Sequence, residues 1–467
     1  MKNTKVFTPE WMVREMLRFA CYMPYGDIYR RHFIDNSCGD GAILRQAVIT
    51  YCRSHKGTKD ELRGELGTYF HGIEIDPDLC NRARKNLSDV ASEFGVTDVN
   101  WDIVCGDAMS IRKYDGLMDY VVGNPPYMKV HDFGDMRSAI KERRFTSKGM
   151  QDLYVAFFDV GTCMLSESGR MAYITPSTWF SSVYGRELRE YLSENNLIDA
   201  VCSCMGGKVF EDADTYPAIT VLDKRRGPNS PVTLYLLNGR TFDYYTSRAL
   251  DFFICDGKFL FNGGDITLAK KVNETQNKTF KVKNGFATLK DSVFVVTDNM
   301  LGCVDTHVIP CIKATKGFKR NIIFPYDRDG RPVKYEDLGD KTKHWMVERA
   351  TLYGHSTQED GWWLYGRTQA ICDVYKNKYT VPNVITPDKC LNIMHAPPGT
   401  GVYGGLYVTC DDDELLDRAM DDVKCDKRFL EYLITLGHYK NGGYYTFSSK
   451  EFEKYLNWKH GEDMVHG

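Results

Sequence analysis

Short apolar segments alternate with amphipathic segments along the first half of the chain. The apolar segments are typical of buried strands, which we predict at residues 32–35, 69–75, 100–105, 119–123, 170–175 and 199–204. One helix is expected to begin near Ala42 and another near Pro77, where Leu79, Ala83 and Leu87 recur at helical spacing. Strands that alternate with helices predict a parallel sheet covered by helices.

The alternation stops after residues 218–239, AITVLDKRRGPNSPVTLYLLNG. The RRGPNSP segment predicts a turn between two further strands, which we expect to pair antiparallel at the edge of the sheet. Beyond residue 240 the sequence is irregular and rich in Tyr, Trp, Gly and Lys. A chain of 467 residues is long enough for at least two domains, so we predict an α/β domain over residues 1–240 and a second domain over 241–467.

The charge and the apolar content of the chain restrict the kinds of protein it can be. The net charge of -3 excludes a protein that is basic throughout, so any binding to nucleic acid must be local. We see neither a signal segment nor an apolar run long enough to cross a bilayer, so we expect a soluble, cytoplasmic protein.

Fifteen cysteines without paired spacing favour reduced thiols packed in cores. Cys202 and Cys204 lack a second ligand pair at zinc spacing, and no metal is expected.

Distinctive residues follow four of the predicted strands. The first strand leads into DNSCGDGA at 35–42, where glycines permit a tight turn, and the second ends in GIEIDPD, which contains Glu74. The third ends in CGDAMS, which contains Asp107, and the fourth in GNPPY. Alone, each is typical of a turn or a helix cap. Ligands of open parallel sheets bind at the carboxyl ends of strands. The occurrence of these four motifs at the ends of successive strands therefore predicts a ligand site.

The first loop indicates the class of ligand. It lacks the third glycine of a dinucleotide-binding loop and the lysine of a phosphate-binding loop. A nucleoside without phosphates suits it better than NAD or ATP.

The order FTP (7–9), DNSCGDG (35–41), GIEID (72–76), GDA (106–108) and NPPY (124–127) resembles the gamma-class DNA adenine-N6 methyltransferases of bacterial modification systems. The segments DLYVAFFDVGTCMLSESGRMAYITPSTW and KVFEDADTYPAITVL extend the resemblance over about the first 240 residues. It implies a Rossmann-like, seven-stranded methyltransferase sheet, S-adenosylmethionine as cofactor, and a mixed α+β target-recognition domain over 241–467. Asn36 and Ile43 depart from the proline and phenylalanine usual in the family.

The resemblance also implies residue roles. Thr8 and Pro9 would close over the methionine end of the cofactor, and Asp35 with the glycine loop would line its amino acid end. Glu74 would hold the ribose hydroxyls, and Asp107 would bind the adenine amino group. The implied cofactor-binding residues are Phe7, Thr8, Pro9, Asp35, Ser37, Cys38, Gly39, Gly41, Glu74, Ile75, Asp107, Ala108 and Asn124.

The Asn-Pro-Pro-Tyr segment suits methylation of an exocyclic amine, whose lone pair is delocalised into the ring. The Asn124 side-chain oxygen and the Pro125 carbonyl can accept the two amino hydrogens, and Pro125 and Pro126 hold these acceptors still. Tyr127 offers a flat face for a base extruded from the duplex. The family's second aromatic clamp corresponds to Phe210, with Tyr216 as the alternative; a buried aromatic without this role is the other interpretation.

Contacts to DNA are expected from the second domain. Basic residues cluster in KKVNETQNKTFKVKNGFATLK and IKATKGFKRN, and we select Lys281, Lys283, Lys316 and Arg367 as candidate DNA-binding residues. A solvated charged face is the alternative. The aromatic residues of GWWLYGRTQA suit either groove contact or a core.

The sequence therefore predicts a site-specific DNA adenine-N6 methyltransferase that acts as a monomer on double-stranded DNA. An RNA adenine-N6 methyltransferase remains an alternative. A protein-glutamine methyltransferase also carries Asn-Pro-Pro-Tyr, but it would have an N-terminal helical domain, which we do not expect here, and no large second domain. A non-catalytic specificity protein is disfavoured by the intact loops. We find no nuclease motif, and whether a separately encoded restriction endonuclease accompanies this protein is open.

Overall fold

Two compact units, Met1–Ile266 and Thr267–Gly467, divide the chain in the computed structural model. The structure describes residues 8–128, 140, 142–146, 152–205, 207, 209–210, 216–440 and 442–461. The boundary predicted after residue 240 is too early, because it falls at the turn between two strands of the first unit's sheet. None of the helices in these ranges combines the length and the apolar character needed to span a membrane.

As far as the structure describes it, the first unit is built on one nine-stranded sheet with the strand order β3-β2-β1-β4-β5-β7-β6-β8-β9. Its strands are β1 (Phe33–Asp35), β2 (Phe70–Glu74), β3 (Asp102–Cys105), β4 (Met118–Gly123), β5 (Leu165–Pro176), β6 (Ile198–Ser203), β7 (Pro217–Asp223), β8 (Val232–Asn238) and β9 (Thr241–Arg248). Strands β1 to β6 run parallel, and β7 lies antiparallel between β5 and β6. The α/β, Rossmann-like seven-stranded sheet is confirmed, and β8 and β9 extend it.

One predicted pairing is wrong. The RRGPNSP turn does connect β7 to β8, but β6 lies between them, and β8 pairs parallel with β6 and antiparallel with β9. Every residue of β7 is buried, which suits a strand with neighbours on both sides. The partly exposed β8 and β9 form the edge instead.

Helices of the first unit pack around this sheet. They are α1 (Glu10–Phe19), α2 (Ala42–Ser54), α3 (Lys59–Tyr69), α4 (Pro77–Glu93), α5 (Leu153–Met164) and α6 (Arg186–Glu194), with 3-10 turns at Ser177–Phe180 and Leu250–Phe253 and the hairpin β10 (Ile254–Cys255) and β11 (Lys258–Phe259). Both predicted helix starts, Ala42 and Pro77, are confirmed. The Asp76 side chain caps α4 by accepting from the backbone N–H groups of Asp78 and Leu79.

In its described residues, the second unit contains three small sheets, ordered β12-β20-β16-β18, β13-β15-β14-β19 and β17-β22-β21. Its strands are β12 (Lys281–Asn284), β13 (Val295–Val296), β14 (Val308–Lys313), β15 (Phe318–Ile323), β16 (Lys378–Val381), β17 (Val384–Ile385), β18 (Met394–Ala396), β19 (Gly401–Tyr403), β20 (Leu406–Thr409), β21 (Tyr439–Lys440) and β22 (Tyr444–Thr446). Its helices are α7 (Ile266–Glu274), which begins at the boundary, α8 (Asp291–Phe294), α9 (Asp340–Leu352), α10 (Asp413–Val423), α11 (Lys427–Leu436) and α12 (Ser449–Lys459), with 3-10 turns at Asp298–Cys303, Tyr335–Asp337 and Ile371–Asp373. The unit is therefore mixed α+β, as expected.

Buried aromatic residues form the core of the second unit. The ring of Tyr365 stacks on Phe286 with centroids 4.8 Å apart, and its hydroxyl donates to the Ile323 carbonyl over 2.6 Å. Trp362 is also buried. The aromatic residues of GWWLYGRTQA thus serve mainly as core.

Cysteine pairing differs from the prediction at one place. Cys390 and Cys425 form a disulfide, whereas the other thirteen cysteines are free. Cys390 and Cys425 are 35 residues apart, so no local sequence pattern indicates that they pair. The tertiary structure brings their Cα atoms to within 4.5 Å of each other. Cys202 and Cys204 are both buried and free. Within the described ranges, no group of three or more His, Cys, Asp or Glu side chains could hold a metal ion.

A chain of polar groups joins the amino ends of three strands, at the edge of the sheet opposite the predicted ligand site. His32 Nδ1 lies 2.8 Å from His71 Nε2, and His71 Nδ1 lies 2.8 Å from Asp102 Oδ2. Lys113 and Tyr114 also donate to the Asp102 carboxylate. Burial lowers the pKa of His71, and the bond to Asp102 only partly opposes this effect.

We predict that His71 makes the folded state less stable in mild acid. The unfolded chain takes up a proton on His71 at its ordinary pKa of about 6.5, whereas the folded protein does so only at lower pH. Relative to a His71→Gln variant, the free energy of unfolding of the wild type should therefore fall below about pH 6.5, by at most about 1.4 kcal/mol per pH unit. Urea denaturation at pH 7.5, 6.5 and 5.5 measures this dependence. His71→Gln should reduce the slope; an unchanged slope in the variant would contradict the assignment.

Candidate active site

The loops after β1 and β4 emerge side by side at one edge of the sheet. β1 and β4 pair in parallel, with Phe33 opposite Tyr120. A Cβ atom on Gly123 would lie 3.2 Å from Asp35 Oδ1 and 3.2 Å from the Tyr173 ring. Glycine at 123 therefore lets the Asp35 carboxylate approach the end of β4 closely.

Asp35 is a buried acid at this junction. The Asp35 carboxylate accepts a hydrogen bond from the backbone N–H of Ser37 over 3.1 Å. Asp35 is only 2% exposed to solvent. Burial raises the pKa of Asp35 to about 7; the bond from Ser37 opposes the rise, and the nearby charge of Glu74 adds to it. A cationic ligand group beside Asp35 would favour the ionised form.

The glycine loop holds the carboxylate of Glu74. Gly39 and Gly41 adopt left-handed φ values of +55° and +88°, which favour glycine. The backbone N–H of Gly39 donates to Glu74 Oε2 over 2.9 Å, and that of Asp76 donates to Oε1 over 3.0 Å. Glu74 is thereby fixed at the end of β2, beside Ile75, an apolar residue that is 58% exposed.

The loop after β3 joins the same edge. The backbone N–H of Gly106 donates to the Glu74 carbonyl over 2.8 Å, and that of Cys38 donates to the Ile73 carbonyl over 2.9 Å. Asp107 Oδ1 accepts from the N–H of Met109 over 2.9 Å, and Ala108 is buried. The structure thus brings the predicted residues of three strand ends together.

The Asn-Pro-Pro-Tyr segment is tied to the rest of the unit at both ends. Asn124 Nδ2 donates to Thr8 Oγ1 over 3.1 Å, and the Tyr127 hydroxyl donates to the Ile174 carbonyl over 3.2 Å. Pro125 is buried and Pro126 is half-buried. Pro9 immediately precedes α1, so Thr8 is held at the start of that helix. Phe7, also predicted as a site residue, lies outside the described residues.

The two predicted aromatic clamps are in contact with each other. The ring centroids of Tyr127 and Phe210 are 6.4 Å apart with an interplanar angle of 74°, which is an edge-to-face arrangement. A base stacked between two rings needs parallel planes about 7 Å apart, twice a contact distance of about 3.5 Å. Phe210 is buried here, so this arrangement leaves no parallel slot for a base.

Sequence reasoning missed two supporting tyrosines. The Tyr173 hydroxyl donates to Asn36 Oδ1 over 2.8 Å, which gives the unusual Asn36 a structural role beneath the Asp35 loop. Tyr154 packs edge-on against Tyr127, with centroids 6.3 Å apart. Tyr173 lies within a buried strand and Tyr154 within a buried helix, so their sequence positions signalled only core.

The four predicted DNA-binding residues all lie in the second unit, but their electrostatic settings differ. Lys281, Lys316 and Arg367 are exposed and form no ion pair with the described part of the chain. Lys283 Nζ instead lies 2.6 Å from Asp373 Oδ2, and Tyr407 also donates to that oxygen. Burial would raise the pKa of Asp373, but the bonds from Lys283, Lys376 and Tyr407 outweigh it and hold the pKa at about 2.

Comparison with known proteins relates the chain to methyltransferases of restriction-modification systems. Residues 58–210, which include Glu74 and the Asn124–Tyr127 segment, match the family described as Eco57I restriction-modification methylase. Type II methyltransferase M.BstVI of Geobacillus stearothermophilus is 25% identical over 452 residues, which cover 85% of this chain and 79% of that protein. Type II methyltransferase M.AccI of Acinetobacter calcoaceticus is 35% identical over 152 residues, which cover 32% of this chain and 26% of that protein.

One solved structure extends the likeness in fold to both units. The type IIL restriction-modification enzyme MmeI, in complex with DNA, matches with a TM-score of 0.55 and 12% identity over 94% of this chain and 63% of that chain. This chain therefore spans less than two thirds of the lengths of M.AccI and MmeI.

We predict that Lys283 stabilises the fold whereas Lys281 does not. Lys283→Met should lower the free energy of unfolding by about 1–2 kcal/mol, because buried Asp373 loses one cation. The loss is moderated because Lys283 is 44% exposed and Lys376 remains 2.9 Å from Asp373. Lys281→Met is the matched control and should change stability by less than about 0.5 kcal/mol. Urea denaturation at pH 7 compares them; equal effects would contradict the assignment.

Proposed function

We propose that this protein is a site-specific DNA methyltransferase that transfers a methyl group from S-adenosylmethionine to the N6 amine of an adenine extruded from duplex DNA. The observation that carries the proposal is the position of Asn124, which donates to Thr8 and is followed by two prolines. It lies at the same end of the sheet as the loops that contain Asp35 and Glu74. The similarity to type II methyltransferases and to restriction-modification methylases supports methyl transfer to DNA.

S-adenosylmethionine fits the residues at the ends of β1, β2 and β3. Asp35, whose buried carboxylate favours a cationic partner, would bind the ammonium group of the methionine end. Glu74, fixed by two backbone N–H donors, would accept from the ribose hydroxyls, and Asp107 would accept from the adenine amino group. Exposed Ile75 offers apolar surface to the adenine ring. When bound, the cofactor supplies an electrophilic methyl group on a sulfonium.

Asn124 and Pro125 supply the acceptors for the target amine. The amide NH2 of Asn124 donates to Thr8, so its side-chain oxygen is the atom suited to accept an amino hydrogen from adenine. The Pro125 carbonyl accepts the second hydrogen. Drawing both hydrogens out of the ring plane localises the nitrogen lone pair and makes the amine a better nucleophile. The prolines preorganise the acceptors, and the product proton leaves to water.

Tyr127 is the stacking surface for the extruded base, and Phe210 is the second clamp. Because the two rings contact edge to face, Phe210 must turn away before a base can stack between them. Stacking on an aromatic ring restores about 1–3 kcal/mol of the energy lost when the base leaves the duplex.

Residues 267–467 are proposed as the target-recognition domain. Lys281, Lys316 and Arg367, exposed and without an ion pair in the described chain, are suited to bind phosphates. Lys283 is removed from this set, since its ammonium group is bound to Asp373.

Expression in a host without DNA methylation tests the function. Long-read sequencing should find N6-methyladenine at one defined sequence, and purified protein should methylate a duplex that contains it. Asn124→Ala should abolish methylation, because the reacting amine loses an acceptor, while calorimetry should still show cofactor binding through Asp35, Glu74 and Asp107, weakened by the loss of the bond to Thr8. Asn238→Ala, at the exposed β8–β9 turn, is the matched control and should retain activity. Methyl incorporation into ribosomal RNA or a protein glutamine, but not into DNA, would refute the proposal.

Cofactor affinity is predicted to depend on pH through Asp35. Its pKa of about 7 means that the carboxyl is largely protonated at pH 6, so a ligand ammonium must displace a proton. Between pH 5.5 and 7 the Kd for S-adenosylmethionine should fall as pH rises, by at most about tenfold per unit. Calorimetry in two buffers of different ionisation enthalpy should show proton release at pH 6. Asp35→Asn should bind weakly at every pH; a wild-type Kd that is constant over this range would exclude this role.

A further inference from the structure

A surface loop, here called the rim loop (residues 177–185), follows β5 at the edge that carries the candidate active site. β4 and β5 pair in parallel, with Gly123 opposite Tyr173, so the chain leaves both strands at the same edge. Hydrogen bonds connect the rim loop to the aromatic residues of the site. The Tyr154 hydroxyl, whose ring packs on Tyr127, lies 3.0 Å from Thr178 Oγ1 and 3.1 Å from the Tyr184 hydroxyl.

The rim loop presents one apolar side chain to solvent. Val183 is 89% exposed. Single exposed apolar residues are common on protein surfaces, so exposure alone would mean little. Val183, however, is β-branched and conformationally stiff, and it stands directly beside Tyr184, which is bonded to the active-site tyrosine Tyr154.

A buried arginine holds the rim loop in place. The Arg189 guanidinium donates to the carbonyls of Trp179 over 2.6 Å, Ser182 over 2.9 Å and Gly257 over 2.8 Å. It forms no ion pair with any described residue, and its burial lowers the pKa of Arg189. Gly185 allows this packing, since a Cβ atom there would collide with the Trp179 carbonyl. A buried cation that binds three backbone carbonyls indicates a loop of fixed conformation.

The rim loop itself carries no charged side chain, although the acidic residues Asp152 and Glu187 lie near it. No acidic residue occurs between Ser168 and Arg186, and Arg186 follows the loop with an exposed side chain. Arg186 lies 3.3 Å from Glu190, but both side chains are well exposed, so this pair is weak. A phosphate backbone near the loop would meet no repulsion from the loop itself.

We propose that the rim loop enters duplex DNA beside the extruded adenine and that Val183 occupies the space which this base leaves in the stack. The proposal rests on the function proposed above and names a further residue that acts on the DNA. Extrusion breaks stacking and pairing, and an apolar side chain inserted into the vacated space reduces that cost by burying its own surface against the neighbouring bases. Arg189 acts as a positioning residue, because it fixes the loop without contacting DNA.

Single-turnover methylation of two duplexes tests this proposal. One carries the fully paired target sequence, and the other carries the target adenine opposite an abasic site, where extrusion is easier. Val183→Ser should slow methylation of the paired duplex about tenfold, but that of the abasic duplex less than about threefold. Arg189→Lys, which keeps the charge but not the shape of the guanidinium, should show the same selective loss. Cofactor affinity should be unchanged in both variants.

Leu117→Ser is the matched control, since Leu117 is 53% exposed and precedes β4 at the opposite edge of the sheet. It should methylate both duplexes at the wild-type rate. If Val183→Ser methylates both duplexes at the wild-type rate, or loses the same factor on both, the role of Val183 is wrong. DNA methylation by the wild-type protein would still support the proposed function in that case. Absence of methylation by the wild-type protein on either duplex would instead reject the proposed function, and this inference with it.

Discussion

The parallel pairing of β1 with β4 is the constraint on which the candidate site depends. These strands are far apart in sequence, yet their pairing places the Asp35 loop against Gly123, which directly precedes Asn124. Parallel strands present their carboxyl ends at a common edge, so the loops after β2, β3 and β5 join them there. The absence of a side chain at Gly123 leaves the room in which Asp35 and Tyr173 approach the strand. Burial of Asp35, its raised pKa and the position of Asn124 all follow from this contact.

The two sides of the candidate site differ in how far they are organised. On the proposed cofactor side, backbone N–H groups already hold the carboxylates of Asp35 and Glu74. On the proposed base side, Tyr127 and Phe210 lie edge to face and would have to separate to admit a base. For the proposed function, preorganised polar groups would suit a cofactor bound before DNA, and the contact between the two aromatic rings would keep their apolar surfaces covered until a base replaced it. The Arg189-supported rim loop lies beside this second side and is itself firmly held.

The second unit shows why a count of basic residues is a poor guide to a binding face. Lys281 and Lys283 occupy neighbouring exposed positions of β12, yet only Lys283 reaches the buried carboxylate of Asp373. Asp373 and Tyr407 join Lys283 in a network that holds β12 to the interior, whereas Lys281 remains solvated. The Cys390–Cys425 disulfide is a second long-range connection within this unit.

Local patterns in the sequence were sufficient to predict all six early strands, the starts of α2 and α4, and the convergence of Asp35, Glu74, Asp107 and Asn124. Apolar periodicity, the proline at a helix start and the rule for parallel strand ends depend only on neighbouring residues or on the type of sheet. The insertion of β6 between β7 and β8, the later unit boundary, the disulfide and the partner of Lys283 were not predictable in this way. Each depends on contacts between residues distant in sequence, which exist only once the chain has folded. The edge-to-face contact of Phe210 with Tyr127 was likewise decided by tertiary packing, because a role expected from a family resemblance does not determine the position of a ring.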